Sequence, residues 1–452
     1  MKNIILNTDS YKLSHWPQYP KGTTGVFSYA EARGGAYDET VVFNIQPYIK
    51  ELAKGVTMAD IDEAEKIVLA HGEPFNREGW EYIVNELGGK LPVRIKAVPE
   101  GNVVPISNAL VTIENTDPNC YWLTSYLETG LLRAIWYGST VATISWNIKQ
   151  LIMKYLNETG TPEDIYFKLH DFGARGVSSF ESSEIGGAAH LVNFMGTDTV
   201  SALQFIMRNY NTDEVAGFSI PASEHSTMMY GGRENETKAY RNMLEVYGPN
   251  GIFACVSDSY DIYNAVENIW GGELRQEVID SGATVVIRPD SGDPVAVNRR
   301  LLDILDDKFG SDVNDKGFKV LKHVRLIQGD GINYSTIDAI LSMAVSKGFS
   351  ADNFAFGMGG ALLQGMDRDT QQWAMKCSAM EIDGEWINVS KDPVTDQGKK
   401  SKPGRLALVK KNDTYFTVNE STDLSNILET VFENGEVVKE YTFAEVRANS
   451  EK

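Results

Sequence analysis

Short β-rich runs recur along the chain from about residue 163, and each run ends in a polar or glycine-rich loop. Most of these loops are followed by a helical pattern. The six runs are DIYFKLHDFGARG, EVAGFSIPASEHST, GIFACVSDSYD, TVVIRPDSGDP, HVRLIQGDGIN and NFAFGMGGALLQ. Strands that alternate with helices predict a parallel α/β architecture, either as a closed barrel or as an open doubly wound sheet.

The ends of these runs carry the residues that are candidates for catalysis or ligand binding. The run VVIRPDSGDP, at residues 285–294, starts with β-branched apolar residues and ends in Arg288, Asp290 and Asp293. The ends of the other runs hold Phe172, Arg175, His225, Asp258, Asp330, Gly359 and Gly360. Because the reactive face of a parallel α/β domain lies at the carboxyl ends of its strands, we expect these residues to share one site.

The flanking segments predict a second region that is rich in β structure. Residues 58–72 have helical spacing that ends in a glycine, and residues 92–115 predict short strands separated by turns. Residues 119–160 predict two long helices. Beyond residue 380, TYFTV and VFENGEVVKEYTF predict hairpin strands around an Asn434-Gly435 turn, and we expect this tail to pack with the N-terminal segments.

Composition narrows the class of protein. The 452 residues are enough for two or three domains, and the net charge of −20 argues against nucleic acid or an anionic membrane as the main partner. The three cysteines are far apart, which predicts neither a disulfide framework nor a zinc site and fits a reducing compartment. The sequence contains neither a signal-peptide pattern nor an apolar stretch of about 18 residues, so we expect a cytoplasmic protein.

Two glycine loops and one basic cluster are candidates for phosphate binding. QGDG (328–331) and GMGG (357–360) follow apolar runs, and their backbone N–H groups can approach an anion, although tight turns without a ligand explain them too. These loops are the last two of the six, where α/β barrels commonly bind phosphate. The cluster GKKSKPGR (398–405) fits either a solvated loop or a clamp over a polyphosphate.

The titratable strand-end residues leave alternatives open. His225 fits an acid, a base or a nucleophile as well as it fits a histidine that is merely satisfied by a hydrogen bond. The carboxylates of Asp258, Asp261, Asp290 and Asp293 can hold Mg²⁺ through water or bind sugar hydroxyls. Asp261 equally fits a charge that stabilises the N-terminus of a helix.

Two aromatic residues stand next to polar ones, Phe172 in HDFGARG and Tyr11 in TDSYKLSH. Each fits a stacking wall for a flat ring or ordinary core packing. The six histidines form no HxH or HExxH pair, so a three-histidine metal site is not expected. No GxxxxGK[ST] sequence is present, so a P-loop is not predicted.

Taken together, the ordered motifs resemble the nicotinamide phosphoribosyltransferase family of type II phosphoribosyltransferases. The similarity runs from TDSYKLSHWPQYP to YTFAEVRAN and is densest at HDFGARGVSS, LVNFMGTDTV, PASEHST, SDSYDIYNA, IRPDSGDP, QGDG and FGMGGALLQ. The resemblance implies an irregular parallel α/β barrel with a second β-rich α+β domain built from the N- and C-terminal segments. We place an N-terminal α+β domain at 1–140, the catalytic barrel at 141–379 and the β-rich C-terminal segment at 380–452.

The resemblance also implies a reaction, in which nicotinamide and 5-phosphoribosyl-1-pyrophosphate give nicotinamide mononucleotide and pyrophosphate. It implies a homodimer with both active sites at the interface, Mg²⁺ as a cofactor and ATP as a co-substrate that phosphorylates His225. The implied catalytic residues are His225, Asp258, Arg288 and Asp290. Nicotinate phosphoribosyltransferase, which has a related fold and a different acceptor, is the alternative.

The substrate contacts are carried over from the same resemblance. Those to nicotinamide are Tyr11, Phe172, Asp198 and Arg288, with Tyr11 reaching the ring from the second subunit. Those to phosphoribosyl pyrophosphate are Arg33, Arg175, Asp290, Gly329, Asp330, Gly359, Gly360, Arg368, Lys376, Lys391 and Lys399. Asp258 and Asp290 are expected to hold Mg²⁺ through water. Asp198 favours an amide over the carboxylate of nicotinic acid.

Three alanines depart from the family pattern, at Ala254, Ala361 and Ala374, and we expect weaker substrate affinity rather than loss of activity from them. Two other classes of protein stay open. An α/β-barrel aldolase or epimerase needs a Schiff-base lysine or a metal-bound base at a strand end, and the six runs offer only Lys168, which precedes its loop. A non-catalytic binding protein would not need the implied catalytic set.

Overall fold

The structure of the protein is a computed structural model that describes residues 3–395, 400–420 and 424–451. The strands are β1 (Thr23–Ala32), β2 (Glu39–Val41), β3 (Val93–Ala97), β4 (Val103–Pro105), β5 (Val111–Asn115), β6 (Leu169–Asp171), β7 (Gly196–Thr197), β8 (Ile252–Val256), β9 (Thr284–Arg288), β10 (Ser311–Val313), β11 (Lys319–Leu321), β12 (Val324–Gln328), β13 (Phe354–Met358), β14 (Trp373–Ile382), β15 (Glu385–Asn388), β16 (Leu406–Lys411), β17 (Thr414–Asn419), β18 (Glu429–Glu433) and β19 (Glu436–Val437).

The α-helices are α1 (Ile45–Leu52), α2 (Met58–His71), α3 (Arg77–Leu87), α4 (Leu123–Tyr126), α5 (Glu128–Thr159), α6 (Phe180–Leu191), α7 (Val200–Asn209), α8 (His225–Met228), α9 (Glu236–Tyr247), α10 (Ile262–Asn264), α11 (Arg275–Ser281), α12 (Pro294–Phe309), α13 (Tyr334–Ser346), α14 (Gly360–Leu363) and α15 (Phe443–Ser450). A π-helix, Ala265–Glu273, continues α10. No described helix combines the length and the apolar character needed to cross a bilayer.

The chain divides into two compact units. Unit 1 comprises residues 1–143, 206–213 and 366–452, and unit 2 comprises residues 144–205 and 214–365. Unit 1 therefore combines N-terminal and C-terminal segments, as the predicted fold class requires.

Unit 1 contains a seven-stranded antiparallel sheet in the order β15-β14-β1-β5-β3-β18-β19. The C-terminal strand β18 pairs with the N-terminal strand β3, as expected for the tail, and β14, which begins before residue 380, pairs with β1. The predicted turn between β18 and β19 has Asn434 at φ 51° and Gly435 at φ 81°, the left-handed pair that a tight hairpin requires. Helix α2 begins at a capping box between Thr57 and Asp60 and ends at Gly72, with φ 96°.

Unit 2 contains a six-stranded parallel sheet in the order β7-β6-β13-β12-β9-β8. Five of the six predicted runs supply its strands β6, β8, β9, β12 and β13. The prediction of a strand in the remaining run, EVAGFSIPASEHST, is wrong, since its residues before α8 form only isolated bridges. The remaining strand is β7, which is two residues long and lies outside the six runs.

The irregular segment joins the two edges of this sheet. At one edge, Thr197 donates its backbone N–H to the Phe218 carbonyl at 3.0 Å; at the other, Ala254 donates to the Pro221 carbonyl at 2.9 Å. Pro221 has no N–H of its own, which prevents a regular ladder here. The parallel sheet is thus closed into an irregular barrel by a segment that is not itself a strand.

The prediction of two long helices over residues 119–160 is also wrong. The segment forms the four-residue helix α4 and then the 32-residue helix α5, separated by Leu127 alone. A break of one residue leaves the apolar spacing of the two helices almost continuous, so the sequence carries no signal for it.

Candidate active site

A cavity of about 460 Å³ opens at the carboxyl ends of the barrel strands in unit 2. Its walls come from the residues at or just after the carboxyl ends of β6, β7, β8 and β9 and from the irregular segment that closes the barrel. The lining residues are Phe172, Ala174, Arg175, Asp198, Thr199, Ala222, Ser223, Glu224, His225, Ser226, Val256, Arg288 and Asp290. The structure therefore brings together Phe172, Arg175, Asp198, His225, Arg288 and Asp290, all of which the sequence singled out.

Phe172 forms an aromatic wall of this cavity. Its backbone N–H donates to the Met358 carbonyl at 3.0 Å, and its ring packs on the apolar cluster of Ala254, Val286 and Ile327 inside the barrel. A Cβ at Gly357 would overlap with ring atoms Cδ2 and Cε2 of Phe172. The glycine at this position of GMGG therefore makes room for the aromatic ring. This explanation differs from the two that the sequence offered, phosphate binding and a tight turn.

Asp198 follows the short strand β7 and is exposed at the cavity. Its backbone N–H donates to the Asp171 carbonyl at 2.9 Å, and its Oδ1 accepts a hydrogen bond of 2.8 Å from the Ser219 hydroxyl. Sequence reasoning missed Ser219, because a single serine in an irregular segment carries no pattern.

Arg288 and Asp290 form an ion pair at the end of β9. The Arg288 guanidinium donates to Asp290 Oδ1 from Nη2 at 2.7 Å and from Nε at 3.2 Å. The same guanidinium lies 5.5 Å from the centroid of the Phe172 ring, within cation–π range. The strand that is buried along its length therefore ends in a cation fixed between a carboxylate and an aromatic face.

His225 begins the four-residue helix α8 and contacts Asp258. Its Nε2 lies 3.0 Å from Asp258 Oδ1, while Asp258 Oδ2 accepts from the Asp290 backbone N–H at 3.2 Å and from the Ser291 hydroxyl at 2.5 Å. The Asp258 side chain is 5% exposed and that of His225 is 39% exposed. Within the described chain no hydrogen bond reaches His225 Nδ1. Asp258 therefore holds Nε2, and Nδ1 can contact a bound molecule.

The glycine loops lie beside these residues. A Cβ at Gly329 would come within 3.3 Å of Arg288 Nε and 3.4 Å of the Phe172 ring. A Cβ at Gly176 would lie 3.1 Å from Gly360 Cα, so the GMGG loop adjoins the loop that carries Arg175. Gly359 adjoins the backbone of Phe172, where an added Cβ would lie 3.6 Å from the carbonyl oxygen, and Asp330 is exposed.

Two further carboxylates, those of Asp261 and Asp293, cap the N-termini of helices. Asp261 accepts hydrogen bonds from the backbone N–H groups of Tyr263 and Asn264 at 3.0 and 3.1 Å, and Asp293 accepts from that of Ala296 at 2.7 Å. Both are helix N-caps, which accounts for their position without a ligand.

A group of cations predicted to contact phosphate belongs to unit 1. Burial lowers the pKa of Lys376, and the positive charges of Arg33, Lys391 and Lys12 lower it further, whereas Glu128 opposes the shift. Arg33 follows β1 and donates from Nε to the Gln372 carbonyl at 3.1 Å. This part of unit 1 carries excess positive charge, which an anion would stabilise.

Two more of the predicted residues, Tyr11 and Arg368, lie in unit 1. Tyr11 is 54% exposed, with its ring centroid 5.1 Å from that of His15. Arg368 is exposed and pairs with its neighbour Asp369 at 3.1 Å. Lys399 lies outside the described residues.

The described members of the basic cluster at residues 398–405 are ion-paired within unit 1. Lys400 contacts Asp392 at 2.9 Å, Lys402 pairs with Glu31, and Arg405 contacts Glu114 at 2.9 Å. These pairs favour a structural role for Lys402 and Arg405, because Glu31 and Glu114 are both buried.

Comparison with known proteins identifies the family. Residues 167–436 match the nicotinate phosphoribosyltransferase (NAPRTase) family, and residues 3–95 match the N-terminal domain of nicotinamide phosphoribosyltransferase. A nicotinamide phosphoribosyltransferase from Xanthomonas campestris pv. campestris is 56% identical, with 100% of this chain and 98% of the relative covered. The chain belongs to the nicotinamide phosphoribosyltransferase family. A second relative of that name, from Acinetobacter baylyi, is 32% identical, with 98% of this chain and 96% of the relative covered.

Membership of the nicotinamide phosphoribosyltransferase family makes the protein a phosphoribosyltransferase enzyme. Two solved structures share its fold at low identity. The nicotinate-nucleotide pyrophosphorylase from Pyrococcus furiosus has a TM-score of 0.64 at 17% identity, covering 99% of this chain and 95% of that one. Human nicotinic acid phosphoribosyltransferase has a TM-score of 0.56 at 15% identity, covering 98% and 93%. These likenesses confirm the predicted fold class.

The three departures from the nicotinamide phosphoribosyltransferase pattern have different surroundings. Ala254 is 6% exposed and belongs to the apolar cluster beneath Phe172, where a hydroxyl would need a hydrogen-bond partner. Ala374 is 5% exposed on β14, and Ala361 is exposed on α14. Their expected effect on substrate affinity stays a prediction.

Proposed function

We propose that the protein transfers the phosphoribosyl group of 5-phosphoribosyl-1-pyrophosphate to nicotinamide, giving nicotinamide mononucleotide and pyrophosphate for NAD biosynthesis by salvage. The observation that carries the proposal is a single cavity in which Phe172, Asp198 and Arg288 meet. An aromatic wall, a hydrogen-bond acceptor and a cation are what a flat ring with an amide and a diphosphate require.

In this proposal the pyridine ring of the acceptor stacks on Phe172, and its amide N–H₂ donates to Asp198. Ser219 already donates to Asp198 Oδ1 and thereby holds that carboxylate in place. A carboxylate at this position repels the carboxylate of nicotinic acid, which makes nicotinamide the preferred acceptor. Stacking aims the ring nitrogen at C1 of the ribose, so its lone pair attacks without a general base.

The bond between C1 and the diphosphate oxygen breaks as the new C1–N bond forms. Positive charge then develops on the ribose ring and negative charge on the departing diphosphate. Arg175 and Arg288 offer guanidinium groups at the cavity for that negative charge. Lys376 is proposed to contact the 5′-phosphate. In a homodimer we expect Arg33 and Lys391 to contact the diphosphate at the site of the second subunit, where Tyr11 contacts the acceptor ring.

Magnesium is part of the proposal as an ion held mainly through water. Over residues 3–395, 400–420 and 424–451, no group of three or more His, Cys, Asp or Glu side chains is arranged to hold a metal ion. Both oxygens of Asp258 accept hydrogen bonds, so Asp258 and Asp290 fit contacts to a hydrated ion rather than a closed protein site. A bound Mg²⁺ would neutralise part of the charge on the leaving diphosphate.

His225 is proposed to couple ATP to the reaction. With Nε2 held by Asp258, Nδ1 is the nucleophilic nitrogen, and it takes the γ-phosphoryl group while ADP leaves. Water later hydrolyses the phosphohistidine to His225 and inorganic phosphate. Asp258 also accepts hydrogen bonds from the backbone N–H of Asp290 and from the Ser291 hydroxyl, so Asp258 connects the histidine to the loop proposed to bind ribose.

A product assay by mass spectrometry tests the proposed function. Purified protein with phosphoribosyl pyrophosphate is given nicotinamide or nicotinic acid, each with and without ATP. We expect nicotinamide mononucleotide to form faster than nicotinic acid mononucleotide, and ATP to raise the rate. Faster use of nicotinic acid would support nicotinate phosphoribosyltransferase activity instead, and no product from either acceptor would refute the proposal.

His225→Ala is expected to abolish the stimulation by ATP and to leave some basal synthesis, because the histidine accepts phosphate and takes no part in the transfer itself. Initial rates with and without ATP measure the effect, and ³²P from γ-labelled ATP should no longer be incorporated. His71→Ala, at an exposed position on α2, is the control and should behave as wild type. Stimulation that survives in His225→Ala would contradict the phosphohistidine.

Asp198→Ser is expected to reduce the preference for nicotinamide over nicotinic acid by about 10- to 100-fold, since it removes a charge that repels the acid. The ratio of kcat/KM for the two acceptors measures this preference. Asp303→Ser removes an exposed carboxylate that pairs with Lys347 and serves as the control. An unchanged ratio in Asp198→Ser would show that selectivity arises elsewhere.

A further inference from the structure

Asp171 is a carboxylate next to the cavity that the proposed mechanism does not use. It is the last residue of β6, fully buried, and lies between Thr197 of β7 and Met358 of β13 in the sheet register. The chain leaves the sheet at this point and continues into Phe172. Burying a carboxylate costs free energy of folding unless hydrogen bonds compensate for its lost hydration.

Asp171 contacts both elements that carry the recognition residues. Its side-chain Oδ1 accepts the backbone N–H of Gly173 at 2.7 Å, which fixes the turn immediately after Phe172. Its backbone carbonyl accepts the N–H of Asp198 at 2.9 Å. One residue therefore connects the aromatic wall to Asp198, which lines the same cavity.

The turn held by Asp171 is closely packed. Gly173 is buried, and a Cβ there would lie 2.6 Å from Leu363 Cγ and 3.0 Å from the Gly359 carbonyl oxygen. Without the Asp171 carboxylate, the Gly173 N–H would be a buried donor that has lost its acceptor, so the turn would rearrange to find another. Phe172 is directly attached to that turn and would move with it.

We propose that Asp171 is a positioning residue for acceptor binding, which keeps Phe172 and Asp198 at one spacing suited to a flat ring that carries an amide. This inference rests on the proposed function for the identity of the acceptor. It assigns to Asp171 no contact with substrate and no proton transfer.

The proposed role of Asp171 depends on its acceptor oxygen and not on its charge. Burial raises the pKa of Asp171 to about 6, and the neighbouring charge of Asp198 adds to the rise. An asparagine keeps the acceptor oxygen for Gly173 and removes the charge. The pair Asp171→Asn and Asp171→Ala therefore separates the positioning contact from the electrostatic effect.

Steady-state kinetics with each substrate varied in turn is the first test. Asp171→Ala should raise the KM for nicotinamide about tenfold or more and leave the KM for phosphoribosyl pyrophosphate within about twofold, whereas Asp171→Asn should stay within about threefold for both. The matched control is Asp352→Ala, which removes a carboxylate that accepts the Thr161 N–H at 2.9 Å just before β13, at the opposite end of the barrel strands. An equal rise in both KM values, or none, would overturn the inference.

Amide hydrogen exchange is the second test and needs no turnover. Peptides that contain Gly173 should exchange faster in Asp171→Ala than in the wild type, and at the wild-type rate in Asp171→Asn and Asp352→Ala. If the wild type makes no nucleotide, the proposed function fails while exchange still decides the positioning role. Unchanged exchange of Gly173 in Asp171→Ala would refute that role even in an active enzyme.

Discussion

Arg288→Ala is expected to lower kcat/KM by about 10²- to 10³-fold, the loss typical when a charged group that stabilises a developing anion is removed. The guanidinium is the cation that Asp290 holds at 2.7 Å beside the Phe172 ring. Its removal also leaves the Asp290 carboxylate at the site without its partner, which adds repulsion toward the diphosphate. Arg288→Lys should recover only part of the loss, because a lysine cannot reproduce the planar two-point contact with Asp290.

Arg300→Ala provides a matched control for this substitution. Arg300 lies on α12 of the same unit and stacks on an aromatic ring, with its guanidinium carbon 3.8 Å from the Tyr263 centroid, but it does not line the cavity. Initial rates for both variants, together with thermal unfolding, separate loss of catalysis from loss of fold. An Arg288→Ala variant that keeps more than about a third of the wild-type kcat/KM would refute the role assigned to the guanidinium.

The strand ends were the most predictable part of the molecule. Strands that are buried on both faces are rich in apolar residues, so β8, β9, β12 and β13 are visible in the sequence. The short strand β6 is visible from the apolar residues that flank it, and the geometry of parallel sheets then gathers Phe172, Arg288 and their neighbours. Strand β7 has only two residues, which is too short for any period to show. The closing segment has an apolar composition but contains Pro221, and only the fold reveals that it hydrogen-bonds to both sheet edges.

Individual contacts within the site were less predictable than its composition. Asp258 and Asp261 occupy similar positions after β8, yet one binds His225 and the other caps α10. Nothing in their local sequence separates the two roles, because each depends on the direction in which a loop leaves the sheet. The roles of Ser219 and Asp171 cannot be predicted from the sequence for the same reason. Each forms a hydrogen bond with Asp198, from which it is distant in sequence.

Gly357→Ala is expected to lower kcat/KM for nicotinamide at least about 30-fold while changing the melting temperature by only a few degrees. The added methyl would overlap with the Phe172 ring, and the ring can relieve the overlap only by turning. Phe172 lines the cavity, so a displaced ring would enter the space proposed for the acceptor and would also lose the stacking geometry, worth about 1 kcal/mol. Overpacking that is relieved into an open cavity damages binding more than stability.

The effect should appear in the KM for nicotinamide more than in the KM for phosphoribosyl pyrophosphate, because the methyl acts on the aromatic wall alone. Gly272→Ala is the control: it adds the same methyl in unit 2 with an ordinary contact, 3.6 Å from the Glu267 carbonyl oxygen. Phe172→Leu in the Gly357→Ala background should remove the overlap and bring back part of the lost affinity. If Gly357→Ala binds nicotinamide with wild-type affinity, the position of the Phe172 ring does not depend on the space left by Gly357. Stacking on that ring would then not be what selects a flat acceptor.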